Sequence, residues 1–441
     1  MRILVCGINY APDLIGVAKY TTELCESLAA FGHQVRVVTA PPYYPEWKIP
    51  QSYQSGWRKS ELLNGIRVTR SPIYVPARPS GVKRLLHHAS FAISSAAPIL
   101  LTALRWRPDI VFTVAPSLLS APVAVMAARI IGVRSWLHVQ DLEVDAAFEL
   151  GLLRNRRLYA CMSRAERGIL RAFDRVSTIS PQMLRRLMQK GVAPEKLRDL
   201  RNWVDTNAIV PGDSQTPLRA RLGLKPTDIV ALYSGAMSKK QGLELIIQAA
   251  TEIRTSHPQI HFVLCGNGPQ RSELVELARG LPNTHIIDLQ PIERFSELLN
   301  TADIHLLPQK AKAADLVLPS KLSGMLASGR PIIVMVEPGT GIAMEAQGTG
   351  LVVPPGDAAG LAAAVATLAG DEALRKRLGD AGRLRAQQHW DRNSIIRSLE
   401  DEFLSLDQRV RPMPERRVRT VRKLRFLDEA LRGSAMSLPP L

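Results

Sequence analysis

The sequence holds no DxD triplet, no HExxH pair, no GxxxxGK[ST] loop and no GxSxG elbow. Metal-clamped diphosphate chemistry, zinc proteolysis, P-loop phosphoryl transfer and elbow-type serine hydrolysis therefore have no support in it. It has four cysteines (Cys6, Cys25, Cys161 and Cys265) and no CxxC pair. Each lies in an apolar or helical stretch, so four buried free thiols in a reducing compartment are expected. Long hydrophobic runs are also missing. The longest, Ala89 to Leu104, contains Pro98 and three serines, and it falls short of the roughly 18 apolar residues that a membrane span needs. The apolar start, Ile3 to Cys6, ends on Gly7 and reads as a buried strand rather than a leader.

What is present is an ordinary globular composition over 441 residues, 46% hydrophobic and 22% charged. That is enough chain for two or three domains. The first half is short of acid: residues 1–210 carry 28 Lys and Arg against 15 Asp and Glu, whereas residues 211–400 carry 20 against 19. A basic first half implies an anionic partner. No zinc-finger, RRM or helix-turn-helix pattern accompanies it, so an anionic membrane or a phosphate-linked lipid is expected and nucleic acid is not.

Apolar runs alternate with amphipathic stretches along both halves. In the first, Ile3–Cys6, Val35–Thr39, Ile110–Thr113, Ser135–Val139 and Val176–Ile179 read as strands, and residues 41–82 read as loops with a short strand or two. In the second, Ile229–Ser234, His261–Cys265, His285–Leu289, Ile304–Leu307, Pro331–Met335 and Gly350–Val353 repeat the scheme. The alternation predicts an α/β chain of two Rossmann-like domains with parallel sheets, facing across a cleft. Residues 1–210 form the first domain, 211–390 the second, and 391–441 a helical segment with a basic tail from Arg409 to Arg432, expected to pack back on the first domain. A cluster of Asp, Asn, Pro, Gly and Ser at 204–217 marks the break.

Ligands of such sheets bind at the carboxyl ends of strands, against helix N-termini. Three loops of the second half fit. Ser234–Gly242 offers Gly235 for close backbone approach and Lys239 or Lys240 for a diphosphate. Gly266, Asn267 and Gly268 form a tight turn after a strand. Ser320 and Lys321 open a helix where phosphate oxygens would be favoured. Each loop alone is as well explained by a structural turn; three in order within one domain are not. In the first half, Gly16 would admit a phosphate or sugar at a helix start. His138 and Asp141 close a buried strand, where side chains turn toward the cleft.

The order of these loops resembles the family 4 glycosyltransferases of the GT-B fold over about residues 1–400. The resemblance rests on Gly16, His138, Asp174–Ser180, Asn202–Asp205, Gly235 to Gly242, Gly266–Pro269, Ala302-Asp303 and Ala327–Pro331. Gly7–Pro12, Ala40–Pro45 and Pro319–Lys321 are most similar to the colanic-acid type of exopolysaccharide enzymes, and to L-fucosamine transferases. The resemblance implies retaining transfer from a GDP- or UDP-sugar, with neither cofactor nor metal, to a polyprenyl-diphosphate-linked acceptor, at the cytoplasmic face of the inner membrane. It implies that a donor phosphate oxygen helps take the acceptor proton. By position, His138 would contact the sugar, Lys240 the diphosphate, Gly266 and Gly268 the nucleotide, and Ser320 with Lys321 the phosphates.

Departures are visible. Ala236 and Gln241 stand where the family has Arg and Lys. Its acidic pair falls on Leu316 and Gly324, with Asp315 beside the first position as a substitute. Two other readings fit the same fold. One is a nucleotide-sugar 2-epimerase, which needs no acceptor. The other is an inactive membrane scaffold that binds a nucleotide sugar without turnover.

Overall fold

The computed structural model describes residues 1–13, 16–54, 59–78, 80–149, 156–310 and 319–408. Asp315, Leu316 and the basic tail from Arg409 lie outside these.

The first domain starts with β1 (Arg2–Gly7), α1 (Val17–Ala30), β2 (Gln34–Thr39), β3 (Lys59–Leu63), β4 (Ile66–Arg70) and α2 (Gly81–Trp106). It continues with β5 (Ile110–Ala115), α3 (Ala121–Ile131), β6 (Arg134–Val139), α4 (Glu143–Glu149), α5 (Arg156–Ala172), β7 (Arg175–Thr178), α6 (Pro181–Gln189) and β8 (Leu197–Asp199). Its sheet has the order β3-β4-β2-β1-β5-β6-β7-β8, parallel except for β3. Every residue of β5 is buried, as expected of a central parallel strand covered on both faces.

The second domain contains α7 (Pro217–Arg221), β9 (Ile229–Ser234), α8 (Glu244–Ile253), β10 (Ile260–Cys265), α9 (Arg271–Leu277), β11 (Thr284–Ile287) and α10 (Phe295–Thr301). Then come β12 (Ile304–Pro308), α11 (Ser320–Ala327), β13 (Ile332–Met335), α12 (Gly341–Ala346), β14 (Gly350–Val353), α13 (Ala358–Gly370) and α14 (Glu372–His389). The all-parallel sheet runs β11-β10-β9-β12-β13-β14. Strand order reverses beside β1 in one sheet and beside β9 in the other. A doubly wound sheet opens its ligand crevice at such a switch point.

The last helix, α15 (Arg392–Gln408), returns to the first domain. Ile396, Leu399, Phe403 and Leu406 join the core around Phe112 and Trp136. Glu400 meets His33 at 2.8 Å and Glu402 meets Arg198 at 2.9 Å. The chain thus crosses between domains twice, and the crossings lie side by side. Val204 N–H donates to Trp390 O at 2.8 Å, and Arg392 N–H donates to Val204 O at 3.0 Å.

Two local expectations change, those for Cys161 and for the apolar stretch of α2, while the short strand or two expected within residues 41–82 is found. Cys161 is exposed on α5, whereas Cys6, Cys25 and Cys265 are buried. Residues 59–70 form a hairpin whose turn, Asn64-Gly65, takes φ of 47° and 79°, the left-handed pair that a two-residue hairpin requires. The apolar stretch read as too short to span a membrane belongs to the 26-residue helix α2, long and apolar enough to cross one by length and composition. Pro98 does not end it, and two of its three serines find backbone partners, whereas the buried Ser95 hydroxyl has none. Ser90 Oγ donates to His87 O at 2.8 Å and accepts from Tyr74 N–H at 2.9 Å; Ser94 Oγ donates to Pro72 O at 2.5 Å.

Candidate active site

The loops after β9 and β10 are zipped together. Gly235 N–H donates to Cys265 O at 2.9 Å, Met237 N–H to Asn267 O at 2.8 Å, and Gln270 N–H to Met237 O at 3.1 Å. A Cβ on Gly266 would strike the Gly235 carbonyl, and one on Gly268 the Met237 carbonyl. These two glycines therefore serve loop-on-loop packing first, and the shape of the pocket floor follows from that packing. Gly235 has φ of 137°, and a Cβ there would come within 2.7 Å of Lys321 Nζ.

Lys321 lies in the first turn of α11 and reaches back over β9. Its Nζ donates to the Tyr233 hydroxyl at 2.6 Å and sits 4.3 Å from that ring's centroid. Burial lowers its pKa to about 8. Ser320, one residue earlier, lies against the phenol of Tyr20 on α1. The N-terminal turns of α1 and α11 thus face each other across the cleft. Gly16, at the start of α1, has φ of 60° with open space where a side chain would stand. Lys239 and Lys240 are exposed on the loop between β9 and α8, and among the described residues neither forms an ion pair. Asn267 is exposed beside them.

Across the cleft, His138 is not presented as its strand-end position suggests. It is buried, with Nδ1 2.9 Å from Ser177 Oγ and Nε2 2.9 Å from the Gln140 amide nitrogen. Gln140 in turn exchanges hydrogen bonds with Asn202 at 2.9 and 3.0 Å. Burial pushes the imidazole down to about 3, so it is neutral, accepting through Nε2 and donating through Nδ1. The expectation that its ring turns into the cleft is corrected: the ring is buried and both nitrogens are taken inside the protein, by Ser177 on the paired strand β7 and by Gln140.

Carboxylates collect at the same edge of the first sheet. Asp141, after β6, is exposed at the rim; desolvation by its surroundings and then Glu143 raise it to about 6. Glu143 accepts from the backbone N–H groups of Ser117 and Leu118 at 2.5 and 3.1 Å. Asp13, after β1, is also raised to about 6 by burial, against the opposing backbone N–H groups of Tyr43 and Tyr44. Asp13, Tyr20 and Tyr233 are not among the candidates that the sequence motifs offer. Asp13 sits between β1 and Gly16 at the start of α1, in a strand-to-helix loop, which is a usable signal; the two tyrosines look like core residues in sequence. Arg70 holds these loops in place, donating to Ala40 O at 2.9 Å, to Ala11 O at 2.5 Å and to Glu61 at 2.5 Å.

Several motifs behind the resemblance are fold staples. Asp174 fastens Arg134 at 2.9 Å and Ser135 N–H at 2.9 Å. Trp203 Nε1 donates to Glu23 at 2.6 Å, and Ser328 Oγ meets His305 Nε2 at 2.9 Å. Asp303 pairs with Arg219 and accepts from Val230 N–H at 2.8 Å. The second acidic position, Gly324, is buried in α11, where a Cβ would meet Phe295 and Leu299 at 3.6 Å. A carboxylate there would point into apolar packing, so that position offers no ligand contact. Asp315, the expected substitute for the first acid, lies outside the described residues.

The glycosyl transferase 4-like domain family matches residues 16–203, and the glycosyl transferases group 1 family matches residues 214–385. The chain is 43% identical over 344 residues to the colanic acid biosynthesis glycosyl transferase WcaI of Escherichia coli K12, covering 76% of this chain and 84% of that one. Among solved structures, sucrose-phosphate synthase of Thermosynechococcus elongatus superposes with a TM-score of 0.69 at 20% identity, covering 92% of this chain and 99% of that one. Anabaena HepE in complex with UDP-glucose superposes with a TM-score of 0.65 at 17% identity, covering 92% of this chain and 100% of that one. Two facing doubly wound domains, both matched in sequence, and this close relative together make the chain a family 4 glycosyltransferase of the GT-B fold.

Proposed function

We propose that this glycosyltransferase moves a sugar, fucose from GDP-fucose being the leading assignment, onto a polyprenyl-diphosphate-linked oligosaccharide in exopolysaccharide assembly. Transfer proceeds with retention and without a divalent metal. The observation that carries this reading is Lys321, a largely buried ammonium against the Gly235 turn with no carboxylate partner among the described residues. A cation in that position suits a leaving nucleoside diphosphate, whose charge would otherwise call for a metal. Lys240, exposed on the same loop, would supply a second positive charge, and the N-terminus of α11 a partial one. The kinship with a colanic acid biosynthesis enzyme and the UDP-glucose complex of HepE support the class of product and donor.

The test is turnover of a panel of GDP- and UDP-sugars with a lipid-linked acceptor in the presence of EDTA. Lys321→Ala and Lys240→Ala are each expected to lower kcat by about 100-fold or more, the scale of losing one contact to developing charge. Full rates in both variants would overturn the site, and activity only with added metal would overturn the metal-independent reading.

We further propose that the enzyme works as a peripheral protein on the cytoplasmic face of the inner membrane, docked through α2 and α3. Along α2, Val82, Leu86, Ile93, Leu101 and Leu104 are exposed, Ile93 by 79%. Their spacing puts them on one helical face. Only 28% of the helix's most apolar stretch is buried, because its other face, with Phe91, Ile99 and Ala103, packs inward on the sheet. The adjoining α3 adds exposed Met126 and Ile130. Lys83 and Arg84 stand at one end of α2, Arg105 and Arg107 at the other. At the end of α3, Arg129, Arg134, Arg171 and Lys196, with Asp174 paired to Arg134, line a concavity of about 600 Å³. An apolar face rimmed by cations suits an anionic bilayer surface.

A further inference from the structure

We propose that Tyr233 is a positioning residue for the donor: its phenol holds the Lys321 ammonium against the Gly235 turn, so that the cation is in place before a diphosphate arrives. The inference rests on the donor-site reading above and adds to it a residue that touches no substrate.

The geometry is a chain of three groups. The Tyr233 hydroxyl donates to the Ala236 carbonyl at 2.7 Å. Its single proton is thereby committed to the turn after β9, and a lone pair is left for Lys321 Nζ at 2.6 Å. The lysine stem then crosses Gly235, where any side chain would overlap it. Strand β9, its turn and the first turn of α11 are tied together by one phenol. An ammonium has three donors. One goes to the phenol, and two remain for phosphate oxygens.

A purely structural tie would not keep a charge here. Burial lowers the Lys321 pKa, and among the described residues no carboxylate compensates the ammonium. Around it stand the phenols of Tyr233 and Tyr20, both raised further by burial. On the neighbouring loop are exposed Lys239 and Lys240, and Lys310 is already paired with Glu244 at 2.6 Å. A buried, unpaired cation is costly in the empty protein, and an anion relieves that cost. The phenol lowers it meanwhile, because a hydrogen bond accepted from the ammonium favours the charged form.

The experiment measures dissociation constants of UDP, GDP, ADP and dTDP by calorimetry from pH 6.5 to 9.5 in EDTA, for the full chain and three variants. Binding of the cognate diphosphate should weaken as pH rises past about 8, where Lys321 loses its proton. Lys321→Gln should weaken binding at pH 7 by about tenfold or more and remove this alkaline limb. Lys321→Arg, charged throughout, should also remove the limb. Tyr233→Phe should move the limb to lower pH, with the affinity loss larger at pH 8.5 than at pH 7. A structural role alone would shift melting temperature and leave the limb in place. A wild-type limb in folded Tyr233→Phe overturns the inference while the donor site stands. Should that variant not fold, 3-fluorotyrosine at position 233, a weaker acceptor of similar shape, is expected to move the limb the same way, and an unmoved limb is the overturning result. If the wild-type chain binds none of the four diphosphates, the donor-site reading falls and this inference with it.

Discussion

His138 spends both ring nitrogens inside the protein, on Ser177 and on Gln140, and burial holds it neutral down to about pH 3. It cannot account for a titration near neutrality. Asp13 and Asp141 can, since both are raised to about 6. For Asp141 the folded pKa lies above the unfolded one, so the unfolded chain gives up its proton first. Stability therefore falls as pH rises from about 4 to about 6 and stays lower above that. Asp141→Asn is expected to stabilise the protein at pH 7.5 by about 0.5–1 kcal/mol. That is less than the full shift, because the carboxyl is exposed and screened. The gain should vanish below about pH 4. Urea denaturation at both pH values checks this, and an equal effect at both would refute it.

Helix α15 illustrates how an element's place can differ from its position in the chain. It follows the second domain, yet Phe403 sits between Phe112 and Trp136 of the first, at ring-centroid distances of 5.7 and 5.3 Å. Phe403→Ala should cost about 3–5 kcal/mol, the usual penalty for emptying a large aromatic site. The loss should appear in urea unfolding as reduced stability of the first domain. An unchanged unfolding midpoint would mean that α15 is not seated there. The apolar pattern of α15 was readable as a helix, but nothing local says which sheet it covers. The loops after β9 and β10 make the complementary point. Their glycines were legible as tight turns, but the need for glycine comes from contact between two loops 31 residues apart, Gly235 with Gly266.

On the scale of the whole molecule, charge and apolar exposure coincide on the first domain. Residues 1–210 hold a surplus of 13 positive charges, and α2 with α3 turns an apolar face outward on the same domain. The chain is expected to float with vesicles containing anionic lipid, less so with zwitterionic vesicles. Raising ionic strength from about 0.1 to about 1 M, which shortens the screening length from about 10 to about 3 Å, should weaken that binding. Ile93→Asp with Leu101→Asp should abolish it and leave the melting temperature nearly unchanged, because neither side chain packs inward. Equal flotation with both lipids, or an unaltered double variant, would count against membrane docking.

The period of apolar residues by itself determined the two parallel sheets, and glycine spacing made the turns at Gly235 and Gly266 legible, because strand, helix and turn patterns are local properties of the chain. Motif order determined the family for the same reason. Only the tertiary structure decided which way side chains face and what they meet. It turned His138 inward, where Ser177 and Gln140 take its two ring nitrogens. It set Gly324 against Phe295 and Leu299. It exposed Cys161 on an outer helix face and brought Asp13, Asp141 and Glu143 to one sheet edge. It also joined Tyr233 to Lys321 across 88 residues. Such contacts depend on where two distant segments cross, and no short-range pattern in the chain records that crossing.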